Sequence, residues 1–364
     1  MTKRILAYFV VTFAVITCLC CPVVAQVTQT NQVAKSNWVT APPLALRWLK
    51  EHQNRDGSWG SNPTNRAALT GLAILAYIAK GETPDSRDFG MTVEKGLQRL
   101  LYDVEASKTN ETLGGIENEH ISTEAIVTYA LAEAYGMTQM ILLREPTSNM
   151  VNRVVASKSL NPIWTPCAVR AAILSGAVEV SDDGKKRLLE SCLASIKGSN
   201  LLSHATAMSS IQLLGQWHDV QYQKGRGITR SELVDSTEYR RYLAKLDEAT
   251  KLAPCDWNQH HEPLPLLTWF VTSQVLYEQG GRRYEKWNKE FPPTVLKNQQ
   301  DDGRLSIPVS KDGSGEKERA MWGDADSDIY ATCLIPILFA PGRHGLPAYM
   351  RSEKLRRALK DSAE

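Results

Sequence analysis

The chain has 364 residues, and its 42 basic and 40 acidic side chains leave a formal net charge of only +2. That balance, with no basic stripe along the chain, excludes a nucleic-acid partner, which needs a cationic surplus to neutralise phosphates. Seven cysteines are present, and those beyond the first 25 residues, Cys167, Cys192, Cys255 and Cys333, are widely spaced without a CxxC pair, so buried free thiols are expected over a disulfide framework.

Lys3 and Arg4 precede an uncharged apolar run from Ile5 to Val24 that ends at Val23-Val24-Ala25. A short basic region, an apolar core and a small-residue site form a secretory signal, with cleavage expected after Ala25 and the protein exported to the periplasm or the medium. Membrane contact is expected only through residues 1–25, if they stay uncleaved, because the apolar run is about long enough to span a bilayer. Cys18, Cys20 and Cys21 lack the small residue that precedes a lipidated cysteine. Removal of residues 1–25 takes Lys3 and Arg4 with it and brings the two charge counts level.

After an extension over residues 26–40, apolar-periodic segments alternate in kind along residues 41–345, and residues 346–364 form a polar tail. Amphipathic segments are expected at Pro42–His52, Thr92–Ala106, Thr147–Ser157, Asp182–Ile196, Asp235–Lys251 and Arg282–Gln299. Each is followed by a nearly uncharged one, at Asn65–Ala79, Glu119–Tyr135, Pro162–Val178, Ser203–Trp217, Glu262–Tyr277 and Asp326–Ala340. A helix without a charged face must be covered on all sides, whereas an amphipathic one lies at the surface. The alternation therefore predicts an all-α fold of six helical hairpins closed into an α/α toroid, inner helices lining a central lumen. The best strand candidate, Arg304–Val309, is interrupted by Pro308, and Gly215–Ser231 and Ser310–Trp322 are expected to be irregular.

One segment carries a specific pattern. Ala45–Gly60 reads ALRWLKEHQNRDGSWG, with Trp48 and Leu49 on the outer helix, then Gln53, Gly57 and Trp59; Gln299–Leu305 repeats the Gln-to-Gly spacing with Leu305 in place of Trp, and Gly114-Gly115-Ile116 is a further trace. The pattern resembles the QW repeat of the terpenoid cyclase and protein prenyltransferase superfamily. The segment His120–Thr138 resembles the exported bacterial prenyltransferase and squalene-oxidase repeat proteins. The resemblance implies the toroid and a squalene-cyclase-like ancestry. Its catalytic acid would fall in Asp324-Ala325-Asp326-Ser327, where the last Asp of DxDD is Ser327; a shifted reading recruits Asp328. The zinc-binding D-x-C of prenyltransferases and the thioester GCGEQ are absent.

On the toroid frame the inner-helix starts share one end, which gathers Arg66, His120, Trp164, His204, His261 and Asp326 or Asp328 around one opening, where helix-start N–H groups favour neutral imidazole and anions. The alternative is that the His and Asp residues there only cap helix starts or satisfy orphan donors. Cys255, Asp256, His260 and His261 are the densest metal-capable group but fit no zinc spacing; no cofactor is expected. Asp301-Asp302-Gly303 and Asp312-Gly313 are turn sequences. Three functions remain open. The first is a scaffold binding a small apolar ligand or a protein partner. The second is a cyclase-like enzyme using Asp324, Asp326 or Asp328, with Trp269, Trp322 and Tyr330 stabilising cations. The third is a carbohydrate-active barrel using His204, His261, Glu119 and Asp328.

Overall fold

A computed structural model describes residues 40–110, 113–157, 160–215, 237–252 and 255–340. The expected signal segment, the extension to residue 39, the tail and residues 216–231 of the Gly215 loop lie outside them. The fold is all-α. Outer and inner helices alternate as α1 (Ala41–Glu51), α2 (Pro63–Ala79), α3 (Gly90–Asn110), α4 (Thr123–Thr138), α5 (Ile141–Ala156), α6 (Trp164–Ser175), α7 (Asp182–Ser195), α8 (Leu201–Leu214), α9 (Thr237–Leu252), α10 (Pro265–Gln279), α11 (Gly281–Asn298) and α13 (Asp324–Leu338). A short α12 (Glu316–Trp322) lies within the stretch expected to be irregular. Arg304–Val309 forms no strand, and the sole β-type pairing among the described residues is an isolated bridge between Glu117 and Ser122.

Burial follows the charge pattern. All residues of α8 are buried, whereas α11 buries only Trp287, Phe291 and Val295, one stripe at i, i+4 and i+8. The inner helices contact one another in chain order, α2 to α4, α6, α8, α10 and α13, and α13 contacts α2, so the cycle of contacts is closed. Trp164 of α6 stacks on Phe270 of α10 at 5.6 Å, so side chains of the two helices that flank α8 in sequence meet. None of the described helices is long and apolar enough to cross a membrane.

Helix starts are capped in two ways. Asn62, Ser122, Ser181 and Asn200 cap α2, α4, α7 and α8 through their own side chains. For α6 the acceptor is Asn161 Oδ1, which takes the N–H groups of Ile163 and Trp164. The first turn of α10 is held from another element, by Glu318. Helix α5 begins six residues before the expected Thr147 and carries Pro146 inside it. The carbonyl that Pro146 leaves unpaired belongs to the exposed first turn, with Ile141 and Leu142 at the surface.

The two turns with Gln-to-Gly spacing have the same geometry. Gln53 Nε2 donates to Gly57 O and to Thr92 O of the next outer helix, both at 3.0 Å. Gln299 Nε2 donates to Gly303 O at 2.8 Å and to Ala41 O at 3.0 Å. Asp56 and Asp302 each accept the N–H two residues on, and the N–H groups of Trp59 and Leu305 each donate to an inner-helix threonine, Thr70 and Thr332. Because Ala41 opens the first helix, the second turn ties the end of α11 back to α1. Both glycines have positive φ, and a Cβ on Gly303 would strike the carbonyl of Leu44. Gly303→Ala is therefore expected to lower stability by roughly 2 kcal/mol, read as a lower urea midpoint; an unchanged midpoint would show that this turn does not hold the first and last hairpins together.

Candidate functional site

Loops entering four inner helices, with α12, line a half-open cavity of about 270 Å³. Glu119 and His120 come from the loop before α4, Ile163 from the start of α6, Lys197, Asn200 and Thr206 from the α7–α8 turn and α8, Glu262, Leu264 and Thr268 from the entry to α10, and Lys317 from α12. The local reasons are specific. Asn200 Oδ1 accepts both the N–H and the hydroxyl of Ser203, which sets the turn that presents Lys197. Trp164 Nε1 donates to His120 O at 2.9 Å and fixes the loop that carries His120. Pro265 at the first helical position starts α10 late, so Glu262 belongs to the entering loop.

The cavity holds charges of both signs. Glu262 is only 9% exposed; burial pushes its carboxyl above the usual carboxylate range, with the Thr268 hydroxyl beside it and His261 working the other way. His120 Nε2 meets Glu119 Oε1 at 3.0 Å. Burial draws the imidazole below its ordinary value, Glu119 opposes that and Lys317 adds to it. A neutral imidazole on a carboxylate, beside a buried carboxyl group, is able to hydrogen-bond a polar ligand or relay a proton.

Of the residues expected around the opening, only His120 lines this cavity. Arg66 lies 3.9 Å from Asp56, which also pairs with Arg99. His204 is buried in α8, and the charges acting on it are Lys245 and Glu248 of α9; burial lowers its basicity. His261 turns outward, with Nδ1 2.8 Å from Asp312. Trp164 stacks on Phe270, and Trp269 packs on Trp257, His260 and Phe291. Trp322 stacks on Tyr330 at 4.6 Å, both fully buried.

The three aspartates of α13 are not brought together. Asp324 is exposed beside Arg319 and Asp328 pairs with Arg304 at 2.8 Å. Asp326 is buried, and its two oxygens accept four bonds: from Ser61 N–H at 2.7 Å, Ser61 Oγ at 2.9 Å, Asn62 N–H at 3.1 Å and Asn65 Nδ2 at 2.9 Å. Such a carboxyl group serves as a buried acceptor and aims no O–H at a cavity. The metal-capable group also disperses. Asp256 accepts the N–H groups of Asn258 and Gln259 in a turn, the Cys255 thiol is pushed up by burial, and His260 is buried against the Trp269 edge. Among the described residues no three His, Cys, Asp or Glu side chains are grouped to hold a metal. Cys167, Cys192, Cys255 and Cys333 are free thiols.

A groove of about 950 Å³ runs between α3 and α5. Several of its polar residues are used internally: Arg153 pairs with Glu124 and bonds Ser107 Oγ, and Asn161 bonds Asn118 O. Reading α10 from Glu262 instead of Pro265 hid that residue's role in the cavity; the Pro263-Leu264-Pro265 sequence was the available signal. Lys317 and Glu318 lay in a stretch expected to be irregular, where a Gly-rich run precedes them.

No family model matches the chain, and no curated protein matches it. A solved structure of a protein from Actinoplanes aligns over 84% of this chain and 98% of its own length, at 12% identity and a TM-score of 0.43. At that score the likeness carries neither fold nor function to this chain.

Proposed function

We propose that this chain is an exported, squalene-cyclase-like α/α toroid that works as a binding protein, taking a small polar ligand in the cavity at the inner-helix starts. The observation that carries the reading is the cavity itself, where four inner-helix entries and α12 place two carboxyl groups, an imidazole and two ammonium groups around one half-open space. The closed contact cycle and the matching Gln53 and Gln299 turns support the toroid. The pattern of residues 1–25 supports export. The charged lining moves the expected ligand from apolar to polar. The structural duties of Asp324, Asp326 and Asp328 leave a cyclase reading without its acid.

A mixed fragment library screened by ligand-observed NMR tests this, using the parent and Lys197→Trp, which places an indole across the mouth. Fragments bound by the parent and lost in the variant are expected. Hits that are equal in both proteins, or no hits at all, would remove the cavity as a binding site.

A further inference from the structure

The charged residues that line the cavity differ in burial: Glu119, Lys197 and Lys317 are exposed and Glu262 is buried. Glu262 is its most deeply buried carboxyl group, and the histidines near it are engaged elsewhere, His120 with Glu119 and His261 with Asp312. No cation among the described residues pairs with it. At the mouth, Lys197 and Lys317 are exposed and make no ion pair among the described residues, and Lys317 is near enough to act on His120. Ile163 and Leu264 add apolar surface to the same lining.

A buried carboxyl group with a hydroxyl beside it but no cation paired to it is costly to ionise, and a ligand cation placed on it removes that cost. A simple anion would meet the Lys pair but crowd Glu262, and a simple amine would satisfy Glu262 but leave the two ammonium groups facing its positive charge. A neutral polyol would use neither. The complementary molecule carries both charges, the positive end inward and the negative end outward, joined by a short aliphatic link.

We infer that the ligand is a small zwitterion of the amino-acid class, with its ammonium on Glu262 and its carboxylate toward Lys197 and Lys317. This rests on the cavity being a binding site. Calorimetric titration of the full chain with glycine, β-alanine, 4-aminobutanoate and 6-aminohexanoate is the test, with butylamine, butanoate and glycerol as controls. At least one amino acid is expected to bind about tenfold or more tightly than every control. Glu262→Gln should weaken it about tenfold at an unchanged melting temperature, and Lys197→Ala with Lys317→Ala should weaken it several-fold and flatten its salt dependence. Controls that bind the parent as well as the amino acids do would overturn the ligand class, and that comparison needs no variant to fold. If the amino acids fail while library fragments still bind and are displaced by Lys197→Trp, the class falls and the binding site stands. If the fragments fail too, both fall.

Discussion

Replacing Glu318 with Ala should destabilise the protein by about 4 kcal/mol, because three buried donors lose their acceptor at once. Glu318 is fully buried, its Oε2 accepts Leu266 N–H and its Oε1 accepts Leu267 N–H, both at 2.9 Å, and Tyr330 Oη donates to Oε1 at 2.7 Å. The first two bonds cap α10, whose own preceding residue, Leu264, supplies no side-chain acceptor. Burial outweighs these donors and pushes the carboxyl up to about 7. An unfolded glutamate titrates near 4.3, so the folded chain binds this proton more tightly. The resulting stabilisation is complete below the unfolded value and is lost as pH rises through about 7. It amounts to roughly 3 kcal/mol across that window. Glu318→Gln carries no titrating proton. The difference in urea unfolding free energy between parent and Glu318→Gln should therefore shift in the variant's favour between pH 4.5 and pH 8. A difference constant with pH would show that Glu318 has the same proton affinity folded and unfolded.

Asp326→Ala should cost about 4 kcal/mol as well, since the N–H groups of Ser61 and Asn62 and the Asn65 amide would be left without their acceptor in a mostly buried joint. Asp326→Asn should recover little of that loss. Whichever way the amide is turned, one NH₂ faces groups that already donate. The joint links residues about as far apart as the fold allows, the entry to α2 and the start of α13, and so closes the contact cycle between the first and last hairpins. A catalytic acid makes the opposite prediction, because removing it spares stability and abolishes turnover. Urea midpoints of both variants decide between the two, and an Asp326→Asn protein within about 1 kcal/mol of the parent would return this residue to the list of reactive groups.

Much of the fold was legible because burial of a whole helix leaves a mark on composition. Leu201–Leu214 contains no formal charge and ends buried on every side; Gly281–Asn298 has one apolar stripe and ends at the surface. The Gln-to-Gly turn was legible for a related reason, since a glycine at positive φ, a glutamine that satisfies carbonyls and an aspartate that closes the turn are each required by local backbone geometry. The site was much less so. His120 was found from its place before a helix. His261 was placed at the opening and Glu262 was read only as the start of a helix, because a helix start displaced by three residues changes which neighbouring side chain lines the cavity.

Sequence by itself determined the all-α class, the order of outer and inner helices and the two matching turns, because each depends on residues close together in the chain and on the polarity of one helix at a time. Only the tertiary structure decided what the acidic residues do. Asp326 meets donors 261 to 265 residues away, and Glu318 meets donors 51 and 52 residues away. Whether such a carboxyl group caps a helix, carries a proton or binds a ligand depends on which buried N–H groups the closed cycle brings to it. The cavity follows from the same cause. Its walls come from five separate segments, and Glu262, Lys197 and Lys317 come to line one space only after those segments are packed together.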